Sequence, residues 1–253
     1  MSHQPSFTIP RDNQDYSTEL EVKRSRFICH LRRADSEHAA RGHVADMRKA
    51  YPDARHHCSA FITRAISKAD SDNSEDTSRP AMPIERSSDD GEPAGTAGQP
   101  MLNVLRESGV SNVCAVVVRY FGGTKLGTGG LVRAYSEAVC RTLPTVPTAI
   151  RRQMRHLAIV LPIADVGRVE AGLRSDGWAV EPTAYGVGAP AKARLYPFNN
   201  TSEEGKIDAH IGNIARIGVA VAPQQADDAV AAVAELTQGL FVPYDNGLIW
   251  SET

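Results

Sequence analysis

Three carboxylates surround one glycine in the stretch SDDGEPAGTAGQP, where Asp89, Asp90 and Glu92 flank Gly91. Such a cluster can hold Mg²⁺ or serve as a general acid and base. It can equally cap the helix that follows and balance nearby arginines. The spacing lacks the alternating ligands of an EF-hand loop. Upstream, ARHHCSAF places His56 and His57 side by side. On a strand adjacent residues point to opposite faces, so the two imidazoles do not share one metal ion. One of them meeting the acidic turn would form a titrating or proton-transfer pair. The simpler reading is a polar contact that positions two loops. No metal site and no cofactor is expected.

The second candidate is VVRYFGGTKLGTGGLVRAYSEAV, with five glycines between Gly122 and Gly130. Gly122 and Gly127 have the separation of a P-loop, but Thr128 stands where that loop needs its lysine, and Lys125 sits inside the loop instead. Gly127 and Gly129 begin a dinucleotide fingerprint that ends wrongly, on Val132 and Arg133. Both nucleotide signatures therefore fail. What remains is a strand, a glycine loop and a helix start, whose successive N–H groups favour anions. Gly122, Gly123, Gly127, Gly129 and Gly130, with Arg119, Lys125 and Arg133, form a candidate anion or nucleic-acid surface. The alternative is that the glycines only permit positive φ and close packing. Lys23, Arg24, Arg26, Arg32 and Arg33 could extend the basic face. Charge on an edge strand is also ordinary protection against aggregation.

The elements that must position these residues follow from pattern. The 253 residues suffice for one large or two ordinary domains, and 42% hydrophobic with 23% charged residues describes a globular chain with a real core. A net charge of −2 excludes a uniformly basic polyanion binder, though not a local patch. No stretch is apolar enough to span a bilayer, and MSHQPSFTIPRDNQDY lacks a signal-peptide core, so a cytoplasmic protein is expected. Cys29, Cys58, Cys114 and Cys140 lie singly in apolar or periodic stretches and read as buried free thiols. Strands are expected at 18–31, 57–63 and 113–121, the last continuously apolar and so central. Helices are expected at 36–51, capped by Asp35 or Ser36, from Pro100 to Gly109, and from about Gly130 to Leu143. Polar, acidic composition marks 67–87 as a long mobile loop.

Residues 1–17 read as a flexible N-terminus, 18–145 as the first domain, and 146–155 as a linker interrupted by Pro144 and Pro147 just before and within it. In 156–253, strand (157–161), helix (165–175), strand (177–184), strand (214–222), helix (225–238) and strand (240–250) give βαββαβ, the ferredoxin-like order. An insertion falls near 186–212. The fold class is therefore α+β in two domains.

In order, SRFI, ARHHCSAF, SDDGEPAGTAGQPML and VVVRYFGGTKLGTGGLVRAY closely resemble the conserved domain of the IMPACT/YigZ family, over about residues 18–143. The tail looks like the small ferredoxin-like domain of bacterial members. The resemblance implies that the first domain has the fold of a ribosomal-protein domain, also seen in domain four of elongation factor G. It also implies that bacterial members bind nucleic acid, RNA above all, or the ribosome, and that a eukaryotic relative, which carries an interaction domain not recognisable here, regulates translation through the activator of an initiation-factor kinase. No enzymatic activity comes with it. This sequence departs from the family pattern in the 67–87 loop, in the 186–212 insertion and at Thr124, where an aliphatic residue is usual. The leading expectation is a non-enzymatic, translation-associated regulator. Its rivals are a metal-dependent hydrolase or phosphotransferase using the acidic turn, and a protein-interaction scaffold.

Overall fold

The computed structural model describes residues 5–64, 82–186 and 214–252. Two units emerge: one runs to Arg152 and takes in Glu252, the other spans Gln153–Ser251.

The first unit contains β1 (Ser6–Pro10), β2 (Tyr16–Val22), β3 (Ser25–Arg33), α1 (Glu37–Ala50), β4 (His56–Thr63), β5 (Ile84–Ser88), α2 (Gly98–Ser108), β6 (Val113–Tyr120) and α3 (Gly127–Thr142). Its main sheet has the order β2-β3-β6-β4-β5, with every neighbouring pair antiparallel. β3 and β4 therefore run the same way with β6 between them, and α1 makes the crossover. The alternating residues of the strands sort onto two cores. Phe27, Cys29, Leu31, Cys58, Ala60, Ile62, Ala115 and Val117 pack with Met101, Leu105 and Tyr135 of α2 and α3. Ile28, Phe61, Cys114, Val116 and Val118 pack with Ala40 and Met47 of α1. β6 feeds both cores, which is why its sequence shows no polar alternation until Arg119. Ser36 caps α1, its Oγ accepting from the Ala39 N–H at 3.1 Å.

Residues 84–87, assigned to a mobile loop, belong to β5, an edge strand pairing Ile84–Ser88 with Ser59–Thr63. IERSS is short and mostly exposed, so it carries no apolar alternation to read. The rest of that loop, 67–81, lies outside the described residues. Within the stretch read as a flexible N-terminus, Ser6–Pro10 is a strand, and its partner is Thr148–Arg152, read as linker. Pro144 and Pro147 fall just before that strand, β7 (Thr148–Pro162), and so do not break it.

In the second unit, β7 continues into α4 (Ile163–Ser175), β8 (Ala179–Val180), β9 (Ala184–Tyr185), β10 (Ile214–Val221), α5 (Ala226–Thr237) and β11 (Tyr244–Glu252). The strand expected at 177–184 is two short pieces, β8 and β9, both paired with β10, with Pro182 between them. The sheet order β11-β7-β10-β8 is the split βαβ arrangement that the sequence order implies. Leu157, Ile159, Leu161, Ile217 and Val219 meet Val166, Val169, Leu173 and Val233 of the helices in one core. Of the insertion, all but Gly186 lies outside the described residues. The fold is α+β, as read from the sequence.

Candidate functional site

The acidic turn joins β5 to α2, and its chemistry begins with a helix that cannot cap itself. α2 starts at Gly98 after Ala97, which has no side-chain acceptor. Asp89 supplies one from outside: its Oδ1 accepts from the N–H groups of Ala97 and Gly98 at 3.0 and 2.8 Å, and its Oδ2 from that of Gly95 at 2.8 Å. Burial pushes the Asp89 carboxyl up, but these three N–H donors outweigh it and hold the group below its ordinary value. Asp90, at a positive φ of 41°, accepts from Arg48 and from the His57 N–H, both at 2.6 Å.

Glu92 turns inward. Its Oε1 accepts from Arg119 at 2.6 Å and from the Tyr135 hydroxyl at 2.7 Å. Both members of the ion pair are buried. Tyr135 lies in the α3 core, where a buried phenol needs a partner for its hydroxyl, and burial pushes that hydroxyl far up in pKa. Cys58 Sγ lies 3.0 Å from the Asp89 carbonyl oxygen and 3.3 Å from the Tyr135 hydroxyl. Burial raises its thiol to about 12, which removes it as a nucleophile at neutral pH. His56 and His57 do take opposite faces of β4. His56 Nδ1 sits 2.9 Å from the Asp90 carbonyl oxygen, with Nε2 4.0 Å from Glu92, while His57 Nε2 is 3.0 Å from the Tyr51 carbonyl oxygen. The turn, β4, β6 and α3 are thus tied together through four side chains. Among the described residues, no group of three His, Cys, Asp or Glu side chains is placed to hold a metal ion.

The glycine loop follows β6. An added Cβ on Gly122 would fall 2.0 Å from the Arg24 backbone carbon, so only glycine allows this approach. The Gly122 N–H also donates to Ser25 Oγ at 3.0 Å. This packs the loop against the β2–β3 turn, whose two central residues, Lys23 and Arg24, have φ of 48° and 65°. Gly123 and Gly127 have positive φ as well, whereas Gly129 and Gly130 are ordinary first-turn residues of α3. Among the described residues no side chain caps α3, and no acidic residue occupies its first turn.

The cations divide sharply. Arg26 pairs with Glu19, Arg32 with Asp46, Arg33 with Asp35, and Arg119 with Glu92. Arg119, expected on the anion-binding surface, is only 7% exposed and points its guanidinium to Glu92, because the two charges must compensate each other once buried. Lys23, Arg24, Lys125 and Arg133 are exposed and make no ion pair among the described residues. Arg24 donates to Thr124 Oγ1 at 3.5 Å, and Thr124 directly precedes Lys125 in the chain. Sequence reasoning missed the Tyr135 hydroxyl, whose signal was a tyrosine on a core-facing helix position; it named Lys23 and Arg24 for the basic face but set them within one strand at 18–31, where the structure has the β2–β3 turn.

Residues 23–143 match the family model of the Impact N-terminal domain. The chain is 36% identical to the IMPACT family member YvyE of Bacillus subtilis, over 66% of this chain and 70% of that one. It is 48% identical to the IMPACT family member YigZ of Escherichia coli, over 60% of this chain and 68% of the other. Among solved structures, one described as the crystal structure of a hypothetical protein aligns at TM-score 0.56 and 31% identity, covering 94% of this chain and 96% of its own.

Proposed function

The chain belongs to the IMPACT family, and from that premise we propose that it is a non-enzymatic, translation-associated regulator that binds RNA or the ribosome in the cytoplasm. The observation that carries this reading is the division of charge. The carboxylates that a metal enzyme would use are bonded to the protein's own donors: Asp89 to three N–H groups, Asp90 to Arg48 and the His57 N–H, Glu92 to Arg119 and Tyr135. Lys23, Arg24, Lys125 and Arg133 stay exposed around an uncapped helix start. Backbone N–H groups and basic side chains of this kind contact phosphates without reading bases. A chain of net charge −2 then binds a polyanion through a patch, with an affinity that falls as salt rises.

Co-sedimentation with ribosomes at low and moderate salt tests the site. The wild type pellets with ribosomes at low salt, and Lys125→Glu with Arg133→Glu stays in the supernatant. Equal pelleting of both proteins, or of neither, overturns the assignment. Pull-down partners that survive nuclease treatment point to the protein-interaction scaffold instead. Mg²⁺-induced stabilisation that Asp90→Asn abolishes would restore the metal-enzyme reading.

A further inference from the structure

At the same end of the sheet, one exposed residue has no role in phosphate contact. Phe121 follows β6 directly and is 55% exposed. The Arg119 guanidinium carbon lies over its ring at 5.7 Å and over the Phe27 ring at 5.3 Å. Arg119 is held in turn by Glu92 at 2.6 Å, and Phe27 meets Tyr135 edge-on at 5.2 Å. Phe121 is therefore the outermost layer of an anchored stack of ring, cation and ring, rather than a loose loop side chain. Among the described residues Arg119 Nε has no hydrogen-bond partner, and the contacts that hold the cation there are one carboxylate and two aromatic rings.

The surroundings of the ring are basic. Arg26 opposes Tyr120 in the β3–β6 ladder, so Phe121 lies one residue beyond that pair, next to the β2–β3 turn. That turn connects the paired residues Val22 and Ser25 through Lys23 and Arg24, both left-handed. Two-residue turns of this shape favour Asn-Gly, and non-glycine residues there carry conformational strain. Turn geometry alone gives no reason for two long cations. Lys125 comes four residues after Phe121, on the other side of the Gly122 contact. A protein-docking patch would surround the ring with apolar neighbours; here the turn and loop beside it carry Lys23, Arg24 and Lys125 with Gly122, Gly123 and Thr124, while the loop's Leu126 packs against the core.

We propose that Phe121 is a stacking platform for an unpaired base of single-stranded RNA, with Lys23, Arg24 and Lys125 taking the flanking phosphates. This rests on the RNA-binding reading above and narrows it to single strands. Bases in a duplex are stacked on one another and unavailable, whereas an exposed aromatic ring among cations suits a strand whose bases are splayed out.

Fluorescence anisotropy with a labelled oligouridine and with duplex RNA of equal length tests it, on the full chain at one fixed salt concentration. Phe121→Leu is expected to weaken single-strand binding about tenfold and to leave duplex binding unchanged. Phe121→Trp is expected to restore or tighten the single-strand binding. Lys23→Glu with Arg24→Glu is expected to weaken both. Thermal melting of each variant excludes misfolding, since Phe121 is exposed. If the wild type binds but Phe121→Leu matches it, the platform is overturned while the phosphate surface stands. Preference for the duplex also overturns the platform alone. If the wild type binds neither RNA, the RNA-binding reading fails, and the platform fails with it.

Discussion

The acidic turn and the glycine loop lie one after the other around α2 and β6, and both are dense in charge and glycine, yet they use them in opposite ways. Asp89 and Asp90 bond through both oxygens and Glu92 through Oε1, all to donors within the unit. Lys125 and Arg133 have no ion partner among the described residues, and the helix start between them carries no side-chain cap. A charge cluster with internal partners holds a fold together; one without them is available to something else. Sequence composition alone does not separate these cases, because the separation lies in who the partners are.

Substitution should expose the contrast as a gradient of stability. The largest effect is expected from Glu92→Ala, which leaves Arg119 and the Tyr135 hydroxyl buried without their acceptor. A loss of about 3–5 kcal/mol in urea unfolding is expected. A loss below about 1 kcal/mol would mean that the turn is not held as described. Next comes Gly122→Ala, where the new Cβ meets Arg24 backbone and forces the loop off the turn. The expected cost is about 1–3 kcal/mol. Gly129→Ala, with open space at its Cβ and a position inside α3, should instead be neutral or slightly stabilising, by up to about 1 kcal/mol.

Asp89→Ala should cost about 1–2 kcal/mol through the lost cap of α2. The same carboxyl gives a pH test. Its pKa is lowered on folding, so its contribution is fully present above the unfolded carboxyl value and disappears as pH falls through the folded one. Wild-type stability should therefore fall on acidification through and below the ordinary carboxylate range. Asp89→Asn should show a shallower fall in denaturation measured at successive pH values. The smallest effect belongs to Lys125→Glu with Arg133→Glu, expected within about 0.5 kcal/mol of wild type in thermal melting. A larger loss would place these cations in the fold rather than on its open surface.

Much of this architecture is legible in the chain. The unbroken apolar run Val113–Val118 marks a central strand, Cys58, Ala60 and Ile62 mark a one-sided face, and Ser36 marks a helix start. Local patterns suffice because each reports its own burial. β5 and the β1–β7 pairing are not legible, since an edge strand of IERSS buries little and Ser6–Pro10 meets Thr148–Arg152 across most of the unit's length. The site is half legible for the same reason. Asp89, Asp90, Glu92, His56 and Arg119 stand out by type, and an acidic cap on the helix that follows is a local feature open to reading, but that Glu92 chooses Arg119 and Tyr135 depends on contacts remote in sequence.

The central position of β6 also sets an order in time. β3 and β4 both pair with β6 and not with each other, so β4 lacks its partner on that side until Val113–Tyr120 has been synthesised. Between Thr63 and Tyr120, at the usual pace of synthesis, roughly 3–11 s pass with His56–Thr63 exposing an open hydrogen-bonding edge. During that interval the β2–β3 hairpin and the β4–β5 pair are the pieces that can form from neighbouring chain, and the nascent sheet is most open to wrong pairing. Emergence of β6 closes both gaps at once, and the glycine loop that follows it can settle onto the Lys23–Arg24 turn only after that closure.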